Sequence, residues 1–204
     1  MNKENRKLPT INLAGAEFYV DATCGLLTDT LNGANSIHIY EMLMLDSHFE
    51  MVFDKHTRNL KESDWTNIED ERYAYLWLRP LGVYDPDGAK EKLTEEDLHF
   101  LKNLPVIDIE GVNFLWEKQT GHLFQQENPW NMIAKNDAVQ SEGVTGFYFD
   151  TNKKVVPFPH ELPSAKGMLP AHISFIPVSK INQKILLAGQ QKTNQAVSRN
   201  KGKR

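Results

Sequence analysis

Seven histidines, one cysteine and a few acidic clusters are the side chains in this sequence that could bind a metal or move a proton. A metal centre needs several imidazole, thiolate or carboxylate groups converging on one ion. His38, His48, His56, His99, His122, His160 and His172 form no HxH or HExxH pattern. The spacing therefore predicts no metal site and no cofactor, and the histidines are expected to pack or to face solvent. Cys24 could act as a nucleophile beside an imidazole. It lies in a Thr-Cys-Gly stretch with the character of a turn, and a tolerated turn residue is the expectation. A single cysteine also excludes an internal disulfide.

Asp85-Pro86-Asp87-Gly88 has the look of a calcium loop. An EF-hand needs oxygen ligands at alternating positions and glycine at the sixth. Counting from Asp85, the fifth position is Ala89 and the sixth is Lys90, so the segment reads as a turn leading into Ala89-Lys90-Glu91-Lys92. His160-Glu161 and His172 are the groups that would carry catalysis if a site formed between the two halves of the chain. No set of residues assembles into a catalytic constellation in the sequence, and none is assigned.

The elements that must position these side chains come in two sets. Leu8-Pro9-Thr10-Ile11-Asn12-Leu13-Ala14-Gly15 lies over Leu104-Pro105-Val106-Ile107-Asp108-Ile109-Glu110-Gly111 at an offset of 96. The offset holds without a gap as far as Leu60 over Val156. Phe18/Phe114, Gly25/Gly121, Leu27/Leu123, Asn32/Asn128, Asn35/Asn131, Ile37/Ile133, Phe53/Phe149 and Asp54/Asp150 are among the identities. After a one-residue shift, Ala74 to Leu81 lies over Ala171 to Val178. A fixed period of this kind is the mark of a repeated structural unit.

Within each copy, alternating apolar residues separated by glycine-containing turns predict an antiparallel meander. Ile11 and Leu13, then Phe18 and Val20, form a hairpin, with Leu26-Leu27-Thr28 as the third strand. Residues 36–45 fit a strand or a helical face equally. Phe49, Met51 and Phe53 mark another strand, matched by Thr145, Phe147 and Phe149. Phe18, Val20, Leu27, Ile37, Phe53, Phe114, Leu123, Ile133 and Phe149 are the expected core. Thr94 is a suitable N-cap for a helix rich in early acids, and Ile181, Ile185 and Ala188 lie on one face of a second helix. The fold class is thus α+β, mainly β. Two tandem antiparallel β-meander units are each followed by a helix, over 1–103 and 104–189, with a basic tail at 190–204.

Asn32/Asn128, Asn35/Asn131 and Asp54/Asp150 are expected to satisfy backbone groups in turns. Aromatic residues are the stronger functional lead. Tyr73, Tyr75 and Trp77 fall on one face of a strand and would present a row of rings to a partner unless both faces are covered. Trp130, in the turn Asn128-Pro129-Trp130-Asn131, is a further candidate contact.

Composition is that of an ordinary soluble domain: 40% hydrophobic, 25% charged, net charge −4. No apolar run is long enough to span a bilayer, and the basic N-terminus lacks the apolar stretch of a signal peptide. Cytoplasm is the expected location. From Leu162 onward there are eight basic residues and no acid, leaving 15 basic against 27 acidic residues before it. The tail could solubilise, fold back on the acidic body, or bind nucleic acid weakly through counterion release.

The phrase Leu8-Pro9-Thr10-Ile11…Phe18-Tyr19-Val20-Asp21…Asn35-Ser36-Ile37…Phe53-Asp54…Arg58-Asn59-Leu60 resembles short tandem β-rich repeats in an uncharacterised bacterial family often found near mobile-element genes. That resemblance implies a fold and no activity. The expected function is a non-enzymatic binding or accessory module, its partner a protein. The alternative is an enzyme with a site between the units.

Deleting Gln190–Arg204 removes five positive charges and takes the formal charge from −4 to −9. The truncated chain should melt as the full chain does, and any DNA retention at low salt should disappear. A large fall in melting temperature would show that the segment packs on the body.

Overall fold

A computed structural model describes residues 6–61, 70–163 and 168–187. The tail from Gln190 and the position of Ala188 lie outside these. The chain divides into two units, Met1–Thr94 and Glu95–Arg204.

In the first unit, β1 (Thr10–Leu13), β2 (Ala16–Asp21), β3 (Leu26–Asp29) and β4 (Ser36–His38) form an antiparallel sheet in sequence order. The β1–β2 hairpin closes through Ala14 (φ 49°) and Gly15 (φ 94°). Two successive positive φ angles match the right-handed twist of the strands, and glycine adopts one of them without steric cost. The carboxamide of Asn12 accepts from the Gly15 N–H at 2.9 Å. Alternation turns Ala16, Phe18 and Val20 inward, where Leu27 and Ile37 join them.

A second sheet follows, with β6 (Phe49–Asp54) at its centre. Beside it run β5 (Leu43–Met44) and β7 (Asn59–Leu60) on one side and β8 (Tyr73–Leu78) on the other. The ambiguous segment 36–45 is neither helix nor strand throughout. It is β4, a 3-10 turn at Ile39–Glu41, then β5. The Glu41 carboxylate closes this turn by accepting from the His38 N–H at 2.8 Å. Phe18 of the first sheet meets Phe53 of the second edge-on, ring centroids 5.9 Å apart, and both are fully buried. Such pairs contribute about 0.5–1.5 kcal/mol beyond the area they bury.

Beyond β8, α1 (Leu81–Tyr84) and α2 (Pro86–Lys90) complete the unit. Asp85 is a helix cap: its carboxylate accepts from Gly88 N at 3.1 Å and from Ala22 N at 2.8 Å, and pairs with Arg6. A Cβ at Gly88 would stand 2.2 Å from Asp85 Oδ2, so the small residue allows the cap. The Asp-Pro-Asp-Gly segment is therefore structural, as its sequence indicates.

The second unit opens with α3 (Glu95–Asn103), which begins one residue after Thr94 and carries three acids in its first turn. Then β9 (Val106–Ile109), β10 (Val112–Trp116), β11 (Leu123–Gln125) and β12 (Met132–Ile133) form a sheet of consecutive antiparallel neighbours. Ile107 pairs with Phe114, and Leu123 with Ile133. In the first unit the pairs are Ile11 with Phe18 and Leu27 with Ile37. A second sheet holds β13 (Val139–Ser141), β14 (Val144–Asp150) and β15 (Ile173–Pro177). Phe114 meets Phe149 edge-on at 5.9 Å. Residues 178–187 are helical, with Ile181 buried and Ile185 packed against the same core.

One alignment does not hold. The sequence places Ala74–Leu81 over Ala171–Val178, an offset of 97. In the ladders, Tyr73 pairs with Asp54 and Ile173 with Asp150, which is an offset of 100. The connection between the two strands is longer in the second unit, so the prolines that guided the match are not equivalent. An odd slip of three also exchanges the faces of the strand. By ladder position, Tyr75 corresponds to Phe175.

All nine expected core residues are buried. Truncating Phe18 or Phe114 to Ala should cost about 3–5 kcal/mol, read from denaturant unfolding. A midpoint that does not move for either variant would mean that these rings are not what holds the sheets together.

Candidate functional site

In the first unit the β6–β8 register sets Glu50 opposite Trp77, Val52 opposite Tyr75 and Asp54 opposite Tyr73. On the other side of β6, Leu43 stands opposite Glu50. Directly opposed residues point to the same face, so the row of rings surrounds a carboxylate. Glu50 is 9% exposed, Tyr75 is 41% exposed, and Tyr73 and Trp77 are half-buried. The strand thus lies between the two arrangements its sequence allows, neither fully covered nor a bare aromatic row.

Both oxygens of Glu50 are engaged. The Tyr75 hydroxyl donates to Oε2, and His48 Nε2 lies 3.1 Å from Oε1. In the neutral ring this leaves Nδ1 to accept from the Ser47 hydroxyl at 3.3 Å. The His48 imidazole also stacks on Trp77 at 4.6 Å. Hydroxyl, imidazole and carboxylate in this order can serve a general base. Here the carboxylate is shared with Tyr75 and the imidazole plane lies against an indole, so the arrangement fixes both aromatic rings in place. The Tyr73 ring carries the Lys61 ammonium at 5.1 Å and the Arg72 guanidinium at 5.3 Å. Arg72 also pairs with both oxygens of Asp54 and holds that carboxyl well below the usual range, with the His56 and Thr57 N–H groups adding to it.

Next to this face the chain exposes an apolar strip. Tyr40 is 76% exposed and Met44 73%, with Leu43 and Leu45 between 40 and 50%. The second unit has Asn136, Val139, Gln140 and Ser141 at the corresponding positions. It also has no carboxylate at the centre of the sheet: Gly146 stands where Glu50 does, and a Cβ there would meet the Phe175 ring at 2.5 Å. Phe175 packs edge-on against Tyr148 at 5.2 Å.

Asn35 and Asn131 hold the first sheet of their unit to the hairpin that follows β6 or β14. Asn35 Nδ2 donates to Arg58 O at 2.8 Å and to Asp29 Oδ2 at 3.3 Å. Asn131 Nδ2 donates to Lys154 O at 2.6 Å and to Gln125 Oε1 at 2.7 Å. These asparagines, and Asp54 and Asp150 with their turn N–H partners, are structural, as their types indicate. Around them the units differ. Arg58 reaches Asp29 through Nε at 2.6 Å and Nη2 at 2.7 Å. Burial alone would raise the Asp29 carboxyl, but the Leu31 N–H, Arg58 and Asn35 outweigh it and hold it below its usual value. In the second unit Gln125 is uncharged, and Lys154 faces Glu127 at 3.8 Å instead. A cleft of about 320 Å3 opens there, lined by Gly111, Asn113, Gln125, Gln126, Glu127 and Lys154 among others.

Trp130 is half-buried and does not line that cleft; its indole N–H is buried with no acceptor among the described residues. His160 is exposed in a 3-10 turn whose Glu161 carboxylate accepts from Phe158 N at 2.8 Å. His172 is half-buried and lies 3.9 Å from Asp150. Cys24 is exposed in its turn. Among the described residues no group of three His, Cys, Asp or Glu could hold a metal ion, and no helix is long and apolar enough to cross a membrane. The convergence of Glu50 with Tyr75 and Trp77 escaped sequence reasoning because they meet through the ladder, not through spacing. No family model, curated protein or solved structure matches the chain.

Burial, then the hydrogen bond and charge of Glu50, raise the Tyr75 phenol above its ordinary value. The fold favours the neutral phenol. Its contribution to stability is therefore present below about pH 10 and is lost as pH rises through the raised value. Ultraviolet titration should show one phenol ionising above the exposed tyrosines, moving down in Glu50→Gln. An unchanged titration curve in that variant would mean that Glu50 does not govern Tyr75.

Proposed function

We propose that this chain is a non-enzymatic binding module built by internal duplication of one β-rich unit, and that the aromatic sheet face of the first unit engages a protein partner. The duplication is supported by ladder pairs, turn caps and buried phenylalanines that recur at an offset of 96. Ile11–Phe18 and Ile107–Phe114 are one instance, and the Glu41 and Asp137 caps are another.

The single observation that carries the binding reading is the half-exposed row of Tyr75, Trp77 and Leu43 around the buried Glu50, with the exposed Tyr40, Met44 and Leu45 close to Leu43 along the chain. Tyr, Trp and Met are enriched where proteins meet, and the two aromatic types bury large areas at low entropic cost. The polar groups of this face are satisfied within the unit, so a partner would desolvate ring and aliphatic surface without stranding a charge. Along the corresponding strip the second unit presents Asn136, Gln140 and Ser141 with Val139 as its one large apolar side chain, which fits a division of labour: one copy recognises, the other supports or serves a separate role.

Incorporating the photo-crosslinker benzoylphenylalanine at Tyr75, with Val106 as an exposed control in the second unit, tests this in extracts of the source cells. A discrete adduct formed at position 75, absent at 106 and weakened by Leu43→Ser, is the expected result. The same diffuse adducts from both positions would overturn the reading.

A further inference from the structure

We infer that the cleft of the second unit is a binding site for a small, neutral, polyhydroxylated molecule, a single saccharide ring by size and chemistry. The inference starts from what occupies the same ladder position in the first unit. Asp29 ends β3 opposite Phe18, and Gln125 ends β11 opposite Phe114. Arg58 and Lys154 both follow the central strand of the second sheet, in turns with positive φ (55° and 60°). In the first unit the guanidinium reaches across to Asp29 in a bidentate pair. In the second unit that bridge is missing and the cleft stands in its place. This holds by ladder position alone, whatever the origin of the two sheets.

The lining selects the ligand. Lys154 and Glu127 carry opposite charges 3.8 Å apart, so the site has no net charge with which to attract a simple anion or cation. The other side chains of the lining that carry polar groups are three carboxamides, Asn113, Gln125 and Gln126. Each carboxamide offers a donor and an acceptor in one plane, which matches a pair of neighbouring hydroxyls. Gln125 is 6% exposed and its carbonyl oxygen is held by Asn131 at 2.7 Å. Its NH2 group is therefore presented in one orientation, and no ordering is needed when an acceptor arrives. Gly111, at φ 80° in the β9–β10 turn, leaves the approach open, with nothing within 4 Å of where a Cβ would stand. A volume of about 320 Å3 is at the small end of ligand pockets and accommodates one ring.

Titrating the isotopically labelled full chain with methyl α-glucopyranoside, and separately with sodium acetate and with glycine, tests the inference by backbone amide spectra. Saturable shifts at Gly111, Asn113, Gln125 and Gln126 with the glycoside alone are expected, with half-saturation in the millimolar range. Asn113→Ala, an exposed change, should weaken binding several-fold. The pair Gln125→Asp with Lys154→Arg should install the ion pair of the first unit and abolish the shifts, while the amide spectrum elsewhere stays that of the folded chain. Shifts with acetate or glycine but not with the glycoside would overturn the ligand class. Absence of saturable shifts with all three, or glycoside shifts that persist in the double variant, would overturn the site.

Discussion

In each unit a phenylalanine from a four-stranded meander meets, edge-on, a phenylalanine from the sheet that follows it. Phe18 with Phe53 and Phe114 with Phe149 have the same centroid separation of 5.9 Å, and all four rings are fully buried. The contact dictates the surrounding architecture. Phe18 can point inward only if the β1–β2 turn keeps its two-residue length, and Phe53 only if β6 keeps its register with β8. A unit of this size has little surplus apolar area, so an edge-to-face ring contact at the centre of its core constrains both sheets at once.

Around that contact, the two units solve the same polar problem with different chemistry. The end of the third strand brings a polar side chain into the interior, beside an asparagine that ties it to the next hairpin. The first unit uses a carboxylate there and neutralises it with a guanidinium. The second uses a carboxamide, which needs no counter-charge and leaves its lysine to solvent and Glu127. A buried carboxylate without its cation would be costly; a buried carboxamide with its oxygen satisfied is not. The cleft lies where the first unit has its ion pair. On the opposite sheet the divergence runs the other way, with Glu50 giving the first unit a polar centre that Gly146 and Phe175 fill with an aromatic ring in the second.

Much of the meander was legible in the sequence, because alternation and turn glycines are local signals: Ala14-Gly15 and Thr23-Cys24-Gly25 lie where the chain reverses. Segment 36–45 was not, since a three-residue strand, a 3-10 turn and a two-residue strand are each shorter than any period that could reveal them. The last strand was misaligned through the chance agreement of Pro80 and Pro177, which the longer second connection sets out of register. Of the site, the common face of Tyr73, Tyr75 and Trp77 follows from alternation alone. Glu50 at its centre, and the turning of Lys154 away from Gln125, depend on pairings between residues far apart in the chain.

Nearly every pairing within the two meanders joins strands that are neighbours along the chain, from β1 with β2 to β11 with β12. Closing such short loops takes little chain entropy from the unfolded state. The asparagine links, by contrast, span 23 residues in either unit. The meander contacts thus need less chain closure than the asparagine links, whose amides sit immediately before β4 and β12. Pairing between consecutive strands keeps contact order low for a β protein, and low contact order favours rapid folding.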